Sequence, residues 1–417
     1  MERIPLRWHC DYNPTMAEIE QINPRIMVWA RETAGLSLEE AADKLGLETS
    51  SRSSGAEKLG ALEAGQKAPT SQQLLRAATL YRRPLIAFYL GDPPERGERG
   101  EDFRTATGSV SPRDNGILDA LLRDLRARQQ LLRAMLDDEE EARPLRFVGA
   151  ARVEHSAMRV AIAIRAALGV TEEAQRGAKG PEALFNLLRA ASEVLGVYVL
   201  LLGDVGSHHS DVGEDVFRGV ALADDVAPFI VINDNDAHPA RSFTLLHELA
   251  HIWIGASGVS GPLQSLSANA IERFCNDVAS EFLLPSARLA EGEALQAAGF
   301  DVVLRATERL AEEWNVSQGL ITYRLARNGW IGADMANRLF GHFAERWRRE
   351  KQRSRESREA TGPSYYVVRR HRLGAALLDA VRRGLQGDVL THTKAAKILG
   401  VSPTNVGPLL RERMRTA

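Results

Sequence analysis

Residues Ser242–Gly255 read SFTLLHELAHIWIG, and the rest of the chain is interpreted outward from them. His247, Glu248 and His251 fall in the pattern H-E-x-x-H. On an α-helix, residues four apart share a face, so both imidazoles can reach one metal ion with Glu248 beside them. Zinc hydrolases use this arrangement: two neutral histidine ligands and a carboxylate that takes a proton from activated water. Phe243, Leu246, Leu249, Ala250, Ile252, Trp253 and Ile254 make nearly every other side apolar. The helix is therefore expected to be buried, and buried polar groups need partners.

One helix supplies too few ligands, because a catalytic zinc takes three protein ligands and keeps a fourth position open. The next helical stretch is Ala270–Pro285, AIERFCNDVASEFLLP, with Ile271, Phe274, Cys275, Val278, Phe282 and Leu283 at helical spacing. Its two carboxylates of interest, Glu272 and Glu281, lie about 180° apart around a helix. Only one can face the metal; Glu272 is the first choice and Glu281 the alternative. Asn276, one turn beyond Glu272, and Asp277 are candidates to orient a histidine ligand from behind.

The finer pattern resembles one family. H-E-x-x-H followed by E-x-x-x-N is similar to the gluzincins, peptidases with a glutamate as third ligand. FTLLHELAHIWIG with E-x-x-x-N-x-x-A-S-E-F-L-L-P, preceded by FRGVAL at Phe217–Leu222 and PFIVIND at Pro228–Asp234, resembles the ImmA/IrrE metallopeptidases. The resemblance implies zinc on His247, His251 and Glu272, with Glu248 as general base. It further implies a protein substrate, a repressor-type transcription factor cleaved under stress or induction of a mobile element.

The wider composition sets bounds. The chain has 417 residues, 44 % apolar and 26 % charged, with a net charge of -2. That is ordinary globular composition for two or three domains. Any basic surface must be local. The only cysteines, Cys10 and Cys275, exclude a disulfide framework and suit a reducing cytoplasm. No run of about 18 apolar residues occurs, so no membrane partner is expected.

Pro24–Leu90 reads as a small helical domain, within an N-terminal region of residues 1–92. Ser37 and Glu40 form a capping box for SLEEAADKLG. LGALEAGQKAPT and LLRAATLYRRPLIAFYL follow, and the order resembles the helix-turn-helix domain of phage-repressor type. In that motif the second helix enters the DNA major groove. Here ETSSRSSGAEK adds about seven residues before the second helix, a polar insert expected as a flexible loop. Arg52, Lys58 and Lys67 are the candidate phosphate contacts if this domain binds double-stranded DNA.

Residues 93–115 read as a linker, carrying most of the Pro/Gly/charge-rich stretch Gly91–Glu101, GDPPERGERGE, and then Asp102-Phe103-Arg104, expected as a structural Asp–Arg pair. Residues 116–350 read as the metallopeptidase domain. It has helices at 116–136, 158–168 and 182–195, strands at 197–202, 216–223 and 229–233, the two ligand helices, and helices at 304–314 and 316–325. Residues 217–221 are expected as a free sheet edge on which a substrate strand could add, and residues 256–268 as a flexible connector. His208, His209 and His238 fall on loops near the strands.

Residues 351–417 form a basic helical region, with ten Lys/Arg against three Asp/Glu from residue 361 onward. Its run THTKAAKILGVSPTNVGPLL has the spacing of helix, tight turn, helix, with Thr391 or Thr393 as cap. Gly407-Pro408 is expected to cut the second helix short, which favours a packing bundle over DNA readout. The fold class is thus mainly α, of α+β type: a helix-turn-helix bundle, a gluzincin-like minimal peptidase domain with a small sheet, and a helical tail.

Two functions follow. One is a zinc endopeptidase of the cytoplasm acting on another protein, with Tyr323 and His342 as loose candidates to stabilise an oxyanion. The other is a DNA-binding, antitoxin-like regulator whose metal site is structural or vestigial.

Overall fold

Side-chain caps set where the N-terminal helices begin. Asn23 caps α1 (Pro24–Thr33), and Ser37, Ser54 and Thr70 each close a capping box on α2 (Leu38–Lys44), α3 (Gly55–Glu63) and α4 (Ser71–Leu80). Such a box satisfies backbone donors that the first helical turn leaves open. In this computed structural model the described residues are 22–51, 53–94, 101–102, 111–140, 142–203, 213, 216–260, 269–289, 295–356 and 364–411. They divide into two units, residues 22–94 with 111–116, and 101–102 with 117–411.

The first unit packs Ile26, Met27, Ala30, Leu59, Leu74, Tyr81 and Phe88 into one core. A bidentate pair from Arg31 to Glu63, at 2.8 and 3.0 Å, ties α1 to the end of α3. The insert between α2 and α3 is ordered at Ser50 and Ser53, which form a bridge, and Lys58 donates its Nζ to the carbonyl of Glu48 at 2.6 Å. Of the three expected phosphate contacts, Lys58 is thus engaged locally, Lys67 is exposed, and Arg52 lies outside the described residues.

The second unit is built on a mixed sheet. Its strands are β1 (Glu101–Asp102), β2 (Tyr198–Leu201), β3 (Gly219–Leu222), β4 (Phe229–Ile232) and β5 (Gly258–Ser260), in the order β1-β5-β3-β4-β2. β3 runs antiparallel to both neighbours, while β2 and β4 are parallel. The expected free edge at residues 217–221 is therefore corrected: β5, from the segment expected as a flexible connector, already pairs with β3. Residues 261–268 of that connector lie outside the described residues, as do Phe103, Arg104, His208 and His209.

Alternation sends strand side chains to two cores. Val199, Leu201, Ala221, Ile230 and Ile232 pack with α6 (Ala157–Leu168), α8 (Pro181–Val194), α9 (His238–Ile254) and α10 (Ala270–Leu283). Leu200, Val220, Leu222, Phe229 and Val231 face α5 (Pro112–Asp138), from Ile117 onward, and the tail. After α13 (Ala333–Glu356), the tail comprises α14 (Tyr365–Leu373), α15 (Ala375–Gln386), α16 (His392–Leu399) and α17 (Pro403–Arg411). Residues from 351 on, expected as a region of their own, thus share a core with the sheet through Leu373, Leu377, Val381, Ile398 and Leu399. Sheet residues buried on both faces require cover on both, and the tail supplies it. α17 also runs through Pro408 instead of stopping there.

Arg189 locks the tail in place. Its guanidinium donates to the carbonyls of Val199, His371 and Arg372, and Glu193 accepts from the backbone of Ala375 and Ala376.

Candidate active site

α9 begins with Pro239 in its first turn and ends at Gly255, whose φ of 72° forms the left-handed cap. Residues Arg241 through Trp253 of this helix are all buried. α10 lies alongside it, started by Asn269, whose side chain accepts from Ile271 N. The pairing of the two helices brings His247, His251 and Glu272 together.

The imidazole Nε2 atoms of His247 and His251 are 3.1 Å apart. Glu272 Oε1 is 3.1 Å from His251 Nε2, and Oε2 is 3.5 Å from His247 Nε2. Ligand atoms about 2.05 Å from a tetrahedral metal sit about 3.3 Å from one another. Among the described residues, these three form the one group of histidine, cysteine and carboxylate side chains close enough to hold a metal ion. The donor set, two imidazoles and a carboxylate, fits a divalent transition metal.

Charge is divided unevenly in this group. Burial works against the charged form of Glu272, but the two imidazoles more than offset it and hold the carboxyl at about 2. His247 is raised: burial opposes its charge, and Glu272 outweighs burial. His251 is lowered, by burial and then by the charge of His247. An anionic Glu272 and an imidazole without its extra proton are the forms that bind metal.

Glu248 is the unusual member. Burial pushes it up to about 8, His247 opposes, and the charge of Glu272 adds. Neither of its oxygens has a hydrogen-bond partner of ordinary geometry, although the Ser260 hydroxyl is close enough to favour its charged form. Buried carboxylate oxygens without partners are costly in a finished core. Here the cost fits a group whose partner arrives with water or substrate.

Gly219 explains how the carboxylate is held. A Cβ built on Gly219 would lie 2.1 Å from Glu248 Oε1 and 2.7 Å from its Cδ. Only a glycine lets the backbone of β3 approach this closely. Sequence reasoning missed the role of Gly219, though a glycine inside the strand run FRGVAL was the available signal.

The other expected residues go to different places. Asn276 is buried on α10, and its side chain favours the protonated form of His247, while His247 Nδ1 has no partner of regular geometry. Asp277 turns instead to Tyr323 Oη, which donates at 2.9 Å, and to Arg327, at 3.0 and 2.8 Å. Its helical position points it toward α12 (Gln318–Arg327), so it does not orient a ligand histidine.

Glu281 is likewise corrected. It lies on the far side of α10, where it accepts from Arg324, Ser286 N and Ser286 Oγ. Burial and the charge of Asp277 keep the Tyr323 phenol protonated, so it serves as a donor to Asp277. His342 packs edge-on to Phe300 and Phe343. His238, at the start of α9, faces Glu182 at 3.6 Å. Burial pushes the Cys275 thiol well up, with Glu272 and Glu248 adding, so it stays a thiol.

A cleft of about 1510 Å³ opens at the N-terminal end of α9, lined in part by Arg218, Asp236, Phe243, Val316, Phe340 and Trp347. The candidate ligands and Glu248 do not line it; Phe243 stands between, its ring centroid 6.0 Å from that of His247. The cleft reaches β3 through Arg218, the neighbour of Gly219, which faces the buried carboxylate of Asp236 at 3.8 Å. Its volume exceeds that of an ordinary small-molecule pocket and suits a run of several residues of peptide.

The site has the form of a metallopeptidase site. Residues 194–326 match the family model of the IrrE N-terminal-like domain, a peptidase family, and this supports the ImmA/IrrE family and a peptidase-type activity. No curated protein and no solved structure matches the chain. The matched segment runs from the end of α8 to the end of α12 and contains all three candidate ligands and Glu248.

Proposed function

We propose that this protein is a zinc-dependent endopeptidase that cleaves another protein, with Glu248 as general base. The observation that carries the reading is the convergence of His247, His251 and Glu272 beside a buried carboxylate that has no hydrogen bond of ordinary geometry and is pressed against Gly219. A zinc ion held by the three ligands would supply Lewis acidity, polarising the scissile carbonyl and acidifying the attacking water. Glu248 takes a proton from that water and passes it to the leaving amine. Its burial raises its proton affinity above that of an ordinary carboxyl, which suits a group that must hold a proton between two steps. The cleft beside Phe243 and Arg218 holds the peptide. A repressor-type transcription factor as substrate rests on the family resemblance, and a reducing cytoplasm on the two cysteines. No helix among the described residues is long and apolar enough to cross a membrane.

The test pairs metal content with cleavage of a panel of unstructured protein substrates and co-expressed repressors. Wild type should carry one zinc per chain, lost in His247→Ala and Glu272→Ala and kept in Glu281→Ala. Glu248→Gln and Gly219→Ala should keep the metal, with cleavage reduced by about a hundredfold or more. A wild type that takes up no zinc when it is supplied, or a Glu248→Gln variant with full activity, refutes the reading.

A further inference from the structure

The turn between α16 and α17 repeats one found inside the catalytic unit. α11 (Phe300–Glu313) passes to α12 through Trp314-Asn315-Val316-Ser317, and α16 passes to α17 through Leu399-Gly400-Val401-Ser402. In each, the residue before valine is left-handed, Asn315 at φ 56° and Gly400 at φ 60°. In each, the residue before that is buried, Trp314 and Leu399. The resulting unit is a helix, a tight turn and a second helix.

The two second helices face opposite surroundings. α12 is buried from Leu320 through Leu325. α17 buries only Val406 and Leu409 and exposes Ser402, Pro403, Thr404 and Arg411, with Gly407 half-buried. A Cβ on Gly407 would meet nothing within 4 Å except the side chain of Arg411, so this face is open. On α16, His392, Thr393, Lys394 and Lys397 are exposed.

The charge of this face has one sign: α16 and α17 carry Lys394, Lys397 and Arg411, all exposed, and neither helix holds an Asp or Glu. Lys394 and Lys397 make no ion pair among the described residues. The corresponding region of the N-terminal unit differs. α2 and α3 are joined by residues 45–54, and around them Glu39, Glu40, Asp43, Glu48 and Glu57 are all exposed.

We propose that α16 and α17 dock the protein on double-stranded DNA. α17 enters the major groove by its exposed N-terminal side, and Lys394 and Lys397 lie against phosphates. A bare helix fits the major groove in width, and the tight turn carries the second helix forward as a helix-turn-helix does. The outward positions of α17 are Pro403, Thr404, Gly407, Pro408 and Arg411, and Asn405 is held by Tyr366 at 3.2 Å. None but Arg411 can make a bidentate base contact, so binding is driven by phosphates and tolerates most sequences. The element places the protein on DNA without choosing a site.

The experiment is fluorescence anisotropy of the full chain with a short mixed-sequence DNA duplex at several salt concentrations. The wild type should bind with an affinity that falls steeply with salt. The double substitution Lys394→Gln with Lys397→Gln should lower the salt slope by about 2 and weaken binding roughly tenfold or more at low salt. Thr404→Glu, which sets a negative charge on α17, should weaken it as well. Lys44→Gln with Lys67→Gln, on the N-terminal unit, should change neither slope nor affinity. All variants should keep the wild-type circular dichroism melt, since each residue is exposed. The proposal is overturned if the wild type shows no salt-dependent binding or the N-terminal pair abolishes it. It is equally overturned if the two tail variants bind as wild type does, or if duplex RNA displaces the DNA at equal concentration.

Discussion

α12 and α17 leave matching turns, yet one is a clamp and the other a face. From α12, Arg324 reaches Glu281 and Ser286, while Tyr323 and Arg327 hold Asp277. Glu281 and Asp277 belong to α10, the helix that carries Glu272, so α12 fixes the third candidate ligand by gripping its helix from behind. α17 carries proline, glycine and threonine at its outward positions and, among the described residues, ties none of them to another element. A turn rich in local information therefore fixes the path of the chain, and the outward side chains of the second helix fix what the path is for. The same local rules build both, which is why a motif match at the turn alone says little about DNA.

The comparison is broken most severely at Arg324. Arg324→Ala leaves the nearly buried carboxylate of Glu281 without its cation, the two side chains being 5 % and 10 % exposed. Removing one partner of a buried pair costs about 3–5 kcal/mol. Urea unfolding should show that loss, and a change below about 1 kcal/mol would mean that α10 is held by its apolar side alone.

The turns themselves give the next effect. Asn315 Nδ2 donates to the carbonyls of Gln175, Arg176 and Ala178 at 3.2, 3.2 and 3.0 Å, so this side chain is a three-way tie as well as a left-handed residue. Asn315→Ala should cost about 2–4 kcal/mol, the lost bonds adding to backbone strain. Asn315→Gly removes the strain and isolates the bonds. Gly400→Ala meets a different obstacle, because its Cβ would fall 2.1 Å from the guanidinium of Arg128. Arg128 can give way, so about 1–2 kcal/mol is expected, mostly from the φ of 60°. Equal costs at the two glycine-like positions, measured by thermal unfolding with fitted enthalpies, would show that the turns are equivalent and that the Asn315 ties contribute nothing.

What could be read in the sequence follows the range of the forces involved. H-E-x-x-H was legible because helix geometry alone places His247 and His251 on one face. That only one of Glu272 and Glu281 can face the metal was legible because nine residues set them on opposite sides of a helix; the family resemblance pointed to Glu272, and the structure puts Glu272 beside the histidines. The strands were found by their apolar runs, but their order was not. β3 read as a sheet edge because the strand that covers it, Gly258–Ser260, is three residues long and sits in a Gly/Ser-rich segment. Pairing partners distant in sequence leave no local pattern. Asp277 was misread for the same reason, since Tyr323 and Arg327 lie on another helix. Pro408 was read as a helix stop by a local rule. The burial of Val406 and Leu409 on either side of it accompanies a helix that continues to Arg411.

The finest distinction between the two helices is made by paired single substitutions. Tyr323→Phe removes one hydroxyl donor from Asp277, which keeps both bonds from Arg327. Because an acceptor still satisfied by two other donors loses little, about 1 kcal/mol is expected. Arg411→Ala removes an exposed side chain whose Nε, among the described residues, donates to Gly407 O at 3.3 Å within its own helix, and should shift stability by less than about 0.5 kcal/mol. The two readouts then cross. Tyr323→Phe should leave DNA affinity at the wild-type value, and Arg411→Ala should weaken it severalfold at unchanged stability. If Arg411→Ala instead destabilises the fold as much as Tyr323→Phe does, α17 is a packing helix like α12, and the difference between the two turns disappears.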